Sequence, residues 1–386
     1  LPNALDIWLG TYLRQAPRRW ARPRGDVHQL LGVADHYEPN LGGASDAVAL
    51  RRIERWVRDY PRHLGAFRDG DGRPPRHSFF YPVETYHADH IDMLGELCQQ
   101  GFGEVEVHLH HDNDTSANLR RTLTEARETF AARHRQLARD RRTGEVKYAF
   151  IHGNWALDNA HPTGCACGVN DELDILRETG CYADLTMPSA PDRAQTRTIN
   201  SIYYAVDDPR RPKSHDTGTP VGSAPRPANS LMMIQGPLVL NWASRKFGIV
   251  PRIENGCVQG NQSPSTARLK NWLRARVQVP ARPDWYFVKL HTHGANEGNM
   301  DALLGEPAVR FHTDLARLAA ENPRFHYHYV TARELYNLAR AAEEGWTGTV
   351  NGARDYELNW IGAERAAPAT EPTRGNALPA RAREVV

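Results

Sequence analysis

The sequence predicts an α/β protein whose parallel sheet closes into a barrel, and three observations predict it. Apolar, strand-like runs alternate with amphipathic helical stretches along most of the chain. Strands separated by helices run parallel, because each return needs a crossover. Seven or eight such units favour a barrel over an open sheet. Polar, chemistry-bearing residues also stand at five separate strand ends, where βα barrels collect their active sites.

Residues 1–26 come first. DIWLGTYLRQAPRRW clusters Trp8, Leu9, Tyr12 and Leu13 and reads as an amphipathic helix lying across the fold, with a membrane-surface contact as the alternative. VHQLLGVA (27–34) is a buried strand ending at DHYEP. ASDAVALRRIERWVRDY (44–60) places Val48, Ile53, Trp56 and Val57 on one helical face. HSFFYPV (77–83) is a strand, followed by a helix through IDMLGELCQQ stopped at Gly101. EVEVHL (104–109) is a strand, and TSANLRRTLTEARETFAARHRQLARD a long helix with Thr115 as N-cap.

KYAFIHG (147–153) and CYADLTM (181–187) are strands around the helix NDELDILRETG, which Gly180 ends. Residues 188–228, rich in Pro, Arg, Ser and Gly, read as a long excursion. SLMMIQGPLVLNW holds a strand or hairpin, STARLKNWLRARV a helix and DWYFVKLH (284–291) a strand. RFHYHYV precedes a helix opened by a capping box, Thr331 with Glu334. The barrel thus spans 27–345, and 346–386 is an extension whose Pro/Ala/Arg-rich end reads as partly disordered.

With 48 basic and 46 acidic residues the chain has no global pull toward nucleic acid or an anionic surface, so no nucleic-acid partner is expected. No run of 18 apolar residues exists that would span a bilayer. The expected location is cytoplasmic or peripheral to the cytoplasmic membrane, with export by a removed signal left open because the first residue is Leu1. Five cysteines without a CxxC pair argue against a disulfide framework. GCACG (164–168), near His161, reads as a Gly-rich loop with inert thiols, a second metal site being the alternative.

The densest chemistry is EVHLHHDND (106–114). On a strand His108 and His110 share a face, with Asp112 next in the alternation; if a helix starts there, His108 and Asp112 become i, i+4 neighbours. Imidazole and carboxylate suit Zn2+ first, then Co2+, Ni2+ or Mn2+. Asp35 and His36 end another strand, and His291 and His293 alternate off a third.

At these residues the chain resembles the polysaccharide deacetylases. VADHYEP matches their Thr-Phe-Asp-Asp motif in position, RHSFFYP their next strand, VHLHHD their His-Ser/Thr-x-x-His, IHGNW loosely their Arg-x-Pro-Tyr, and KLH their closing Leu-x-His. No motif matches letter for letter. The resemblance implies a distorted (β/α)7 barrel with one divalent metal, usually zinc, that hydrolyses acetyl groups on sugars. It implies Asp35 as base, His291 as acid, and His36, His108 and Asp112 as ligands, with His110 and His111 competing for the second histidine position. His152, Asn154 and Trp155 would line the substrate groove; apart from the resemblance, Glu84 is read as a contact to a substrate hydroxyl or to the metal, and His293 as a substrate contact, with one of His291 and His293 a general acid or a ligand. Tyr37, Tyr81, Trp155, Tyr203 and Tyr204 offer rings to a carbohydrate or to the core. The alternatives are a glycoside hydrolase or non-sugar amidase on the same barrel, or a silent carbohydrate-binding relative. The oligomeric state is not legible.

Overall fold

The computed structural model describes residues 2–23 and 25–363. Two short helices, α1 (Leu5–Arg14) and α2 (Ala16–Trp20), precede β1 (Val27–His36) and α3 (Asp46–Leu64). Then come β2 (His77–Pro82), α4 (Ala88–Leu97), β3 (Gly103–Leu109), α5 (Ser116–Ala132), β4 (Ala138–Asp140), β5 (Val146–His152), α6 (Glu172–Glu178) and β6 (Cys181–Asp184). The excursion carries β7 (Ile202–Val206) and β8 (Thr219–Pro220), followed by β9 (Ser230–Ile234) and the hairpin β10 (Val239–Lys246) and β11 (Val250–Glu254). The chain continues through α7 (Thr266–Ala275), β12 (Trp285–Thr292), α8 (Glu297–Leu304), α9 (Glu306–Glu321), β13 (Phe325–Tyr329), α10 (Ala332–Glu343), α11 (Val350–Ala353) and β14 (Leu358–Trp360).

The fold is mixed α/β around a large, mostly parallel sheet ordered β12-β1-β2-β3-β5-β6-β9-β7-β8. Strand β1, apolar through residues 30–34 as a strand covered on both faces tends to be, pairs in parallel with β12, β13 and β2. One face packs Leu31, Phe79, Val107 and Phe150 against Trp56 of α3, Leu94 of α4, Leu119 of α5 and Phe311 of α9. The opposite face packs Leu30, Ala34, Phe80 and Ile151 against Trp8 of α1 and Leu335 and Leu338 of α10. Gly32 permits that second layer: a Cβ there would lie 2.9 Å from Leu335 Cδ1.

The expected closed barrel is not what the ladders form. Among the described residues no ladder returns from β9 or β8 to β12. The physical reason is edge competition. One edge of β9 pairs with β6, and the other is taken antiparallel by β7, supplied by the excursion. The outer edge of β12 is met near its end by residues 256–258, through Val258 N–H to His291 O and His291 N–H to Gly256 O. A side-chain link stands where a ladder would close: Lys289 of β12 donates to the carbonyls of Leu185 (2.6 Å) and Met187 (2.8 Å).

Two other expectations change. The long helix after Thr115 ends at Ala132, because Arg135 and Leu137 turn left-handed (φ 53° and 71°) and release Ala138–Asp140 as β4. The extension after 345 is integral up to Gly362: β14 pairs with β4, and Arg354 is buried in ion pairs with Glu334 (3.0 Å) and Asp71 (2.8 Å). Residues 364–386, on which the expectation of disorder mainly fell, lie outside the described residues. Thr115 does cap α5, and Thr331 with Glu334 forms the capping box of α10. No helix among the described residues is long and apolar enough to cross a membrane.

Candidate metal centre

The parallel register of β12, β1, β2 and β3 brings their C-terminal ends to one edge. Ala34 pairs with His291, His36 with Phe80, and Pro82 with His108. His36 and Glu38 leave the end of β1, His108 and His110 the end of β3, and His293 the end of β12. Their rings cluster, with centroids 4.8 Å apart for His36–His293, 5.0 Å for His36–His108 and 4.6 Å for His108–His110.

One atom gathers three of the four histidines. Oε1 of Glu38 lies 3.3 Å from Nε2 of His108, 3.7 Å from Nε2 of His110 and 3.8 Å from Nε2 of His293. Donors about 2.0–2.2 Å from a tetrahedral zinc ion stand roughly 3.3–3.6 Å apart; the 3.3 Å spacing falls in that range and the other two lie just beyond it, and the donor atoms form two triads that share Glu38, one with His108 and His110 and one with His36 and His293. The tautomer fits too. His108 Nδ1 donates to the Ile151 carbonyl at 2.8 Å, leaving a lone pair on Nε2 that faces a carboxylate oxygen. Both facing atoms are buried acceptors without a hydrogen-bond partner. His110 Nδ1 donates to Glu84 Oε1 at 2.6 Å, a carboxylate–histidine pair of the kind that orients ligands.

The electrostatics differ from residue to residue: burial lowers His110, but Glu84 and Glu38 outweigh it and raise it. Burial pushes the Glu38 carboxyl up, but His108, His293 and His110 more than offset it and leave it below its ordinary value. Burial, with His293 and His108 beside it, holds His36 well below its usual range and therefore as neutral imidazole. Burial also lowers His293, with Glu38 opposing.

Asp35 lies apart from this cluster. Its Oδ2 accepts from His77 Nε2 at 2.7 Å and its Oδ1 from the Gly294 amide at 2.6 Å, in a fully buried setting. A Cβ at Gly294 would fall 2.0 Å from Asp35 Oδ2, so only glycine admits this contact. Asp35 thereby fixes the turn that carries His293. Asp112 also lies outside, its Oδ1 accepting from the Ala166 amide at 2.6 Å.

His111 and His152 fall together in a second cluster with Cys167 and Glu172. The stretch EVHLHHDND is therefore divided: His108 and His110 face Glu38, and His111 faces Glu172.

A groove of about 330 Å3 opens beside the first cluster, walled by Trp155, Pro188, Arg252, Asn255, His291 and His293 among others. His291 Nδ1 is buried there without a partner. Asn154 and Trp155 both adopt left-handed φ (54° and 58°), which is rare for a residue as bulky as Trp. Asn154 is exposed, and Trp155 is half-buried beside the rings of His36 and His293. Tyr37, Tyr81, Tyr203 and Tyr204 are core residues.

Sequence reasoning missed Glu38 and Glu172. Glu38 follows His36 by two positions, the same alternation that pairs His108 with His110, so a signal existed. Glu172 opens α6, about 60 residues from His111, and no local pattern announces it. Compared with known proteins, the chain matches no protein-family model, and no curated protein matches its sequence.

Proposed function

We propose that the chain is a metal-dependent hydrolase that removes an acetyl-type acyl group from an amino sugar or polysaccharide. The observation that carries this reading is the convergence of three imidazole Nε2 atoms on Glu38 Oε1 beside an open groove. Glu38 with His108 and His110, or with His36 and His293, forms a three-residue donor set that suits Zn2+ first and Co2+, Ni2+ or Mn2+ next. When bound, the ion supplies Lewis-acid polarisation of a carbonyl and a more acidic water.

The chain's own residues supply the rest. Hydrolysis adds hydroxyl to the acyl carbon and hydrogen to the leaving amine or alcohol. His291, with its free Nδ1 at the groove wall, is placed to move that proton. Glu84 holds the proton on His110 Nδ1 and so presents Nε2 toward Glu38. Trp155 offers a flat apolar ring to a sugar face. Asp35, with both oxygens engaged, acts in this reading as a positioning residue for Gly294 and His293. The strand-end order of these groups is also the basis of the barrel-deacetylase resemblance.

The test is acetate release from N-acetylated and O-acetylated glucosamine oligomers by zinc-loaded and cobalt-loaded protein. Release that falls on the order of 10²-fold or more in His291→Ala, with metal retained, supports the assignment. Fully loaded protein that releases no acetate from any of these substrates refutes it.

A further inference from the structure

Besides the cluster around Glu38, a second set of donors meets inside the protein. We propose that His111, His152, Cys167 and Glu172 form a separate, closed metal centre that binds one zinc ion and ties the ends of β3 and β5 to the 164–168 loop. This inference is independent of the acyl-transfer reading.

The donors first. One ligand atom from each of the four residues lies within 4.8 Å of the others. Glu172 Oε1 is 3.2 Å from His111 Nε2 and 3.6 Å from His152 Nε2, and Glu172 Oε2 is 3.4 Å from Cys167 Sγ. His152, Cys167 and Glu172 are fully buried. Two histidines, a cysteine and a carboxylate are all zinc ligand types, and four of them in a closed pocket give the coordination number of a structural site.

A second observation points to a cation. His152 Nδ1 donates to the Gly153 carbonyl, so Nε2 carries a lone pair. That buried Nε2 has no partner, yet it faces a carboxylate oxygen. Glu172 Oε1 meets His111 Nε2 at 3.2 Å, so the His152 lone pair is the buried group aimed into the site with nothing to satisfy it, the arrangement a metal ion resolves.

Charge balance favours the ion. Binding converts the Cys167 thiol to a thiolate, forming a Zn–S bond and releasing one proton to solvent. Zn2+ with one thiolate, one carboxylate and two neutral imidazoles sums to zero, the cheapest charge to bury. The cysteine loop is aimed at the site by its anchors. Asp114 N–H donates to Cys167 O at 2.9 Å, and a Cβ at Gly168 (φ 98°) would lie 2.7 Å from Asp114 N.

The function assigned is order rather than catalysis. His110 and His111 are consecutive, and each serves a different centre, so an ion on His111 restrains the backbone that presents His110 to Glu38.

Cobalt substitution tests this on the full chain. The expected result is two Co2+ per chain and a near-ultraviolet thiolate-to-cobalt charge-transfer band. Cys167→Ser loses that band and one ion, Cys165→Ser and Cys257→Ser keep both, and His108→Ala keeps the band while losing the other ion. Cobalt-saturated wild-type protein without a thiolate band overturns the proposal, and needs no variant to fold. A band that survives in Cys167→Ser overturns it equally. Failure of the Glu38 centre alone is distinguishable, because it leaves one ion and the band in place.

Discussion

Nε2 of His108 lies 3.3 Å from Oε1 of Glu38, both atoms buried, while Nδ1 of the same ring lies 2.8 Å from the Ile151 carbonyl. Such a pair needs either a proton or a metal ion between its members. Glu38→Gln and His108→Ala are therefore each expected to weaken zinc binding by at least about 100-fold, more than the loss of an outer orienting group. Competition against a chromogenic chelator measures this. Unchanged affinity in Glu38→Gln would remove Glu38 from the ligand set.

Glu84 and Asp112 make opposite predictions. Glu84 accepts the Nδ1 proton of His110 at 2.6 Å, so Glu84→Gln should weaken zinc binding by about 10–100-fold while leaving the fold intact. Asp112 caps the 166 amide instead, so Asp112→Asn should leave the affinity of this centre unchanged. The same chelator titration, run on both variants, separates them, and the reverse order of effects would restore Asp112 as a ligand.

The contrast between these residues shows what was legible in the sequence. Alternation put His108 and His110 on one face because i and i+2 side chains share a side of a strand. It went wrong at Asp112, where the chain has left β3 and no longer alternates. The strands and most helices were readable from their apolar periods. Closure was not, because it turned on a competition for the edge of β9, won by Ile202–Val206 from a segment whose Pro, Arg and Ser content reads as loop. Glu172 was hidden for a related reason: the fold, rather than any spacing, brings α6 to the end of β5.

Gly153 stands where His110 needs room. A Cβ on it would lie 2.3 Å from His110 Cδ2, with the His110 Cα only 2.9 Å away, so the ring cannot yield by a small rotation alone. Gly153→Ala should displace His110 from Glu38 and cost about 1–3 kcal/mol of stability through overpacking. Urea unfolding measures the second effect and zinc affinity the first. A variant with both unchanged would show that the His110 backbone moves freely.

Acid stability rests on a different network, at the other end of β1 and around α10. Asp71 accepts from His328 at 2.9 Å and from Arg354 at 2.8 Å. Burial raises its carboxyl, but those two partners outweigh burial and bring it from the ordinary 3.8 down to about 2. Glu334, beside Arg76, Arg354 and Arg333, is lowered in the same sense. For an acid whose folded pKa is depressed, the contribution is full above the unfolded pKa and is lost as pH falls through the folded value. Stability should therefore hold down to about pH 4 and decline toward pH 2. Asp71 accounts for about 1–2 kcal/mol of that decline after allowance for its partial exposure. Asp71→Asn should consequently be less stable than wild type at neutral pH and converge with it near pH 2. Urea unfolding at a series of pH values reads the difference directly, and a gap that stayed constant across the range would place the Asp71 contribution in packing rather than in charge.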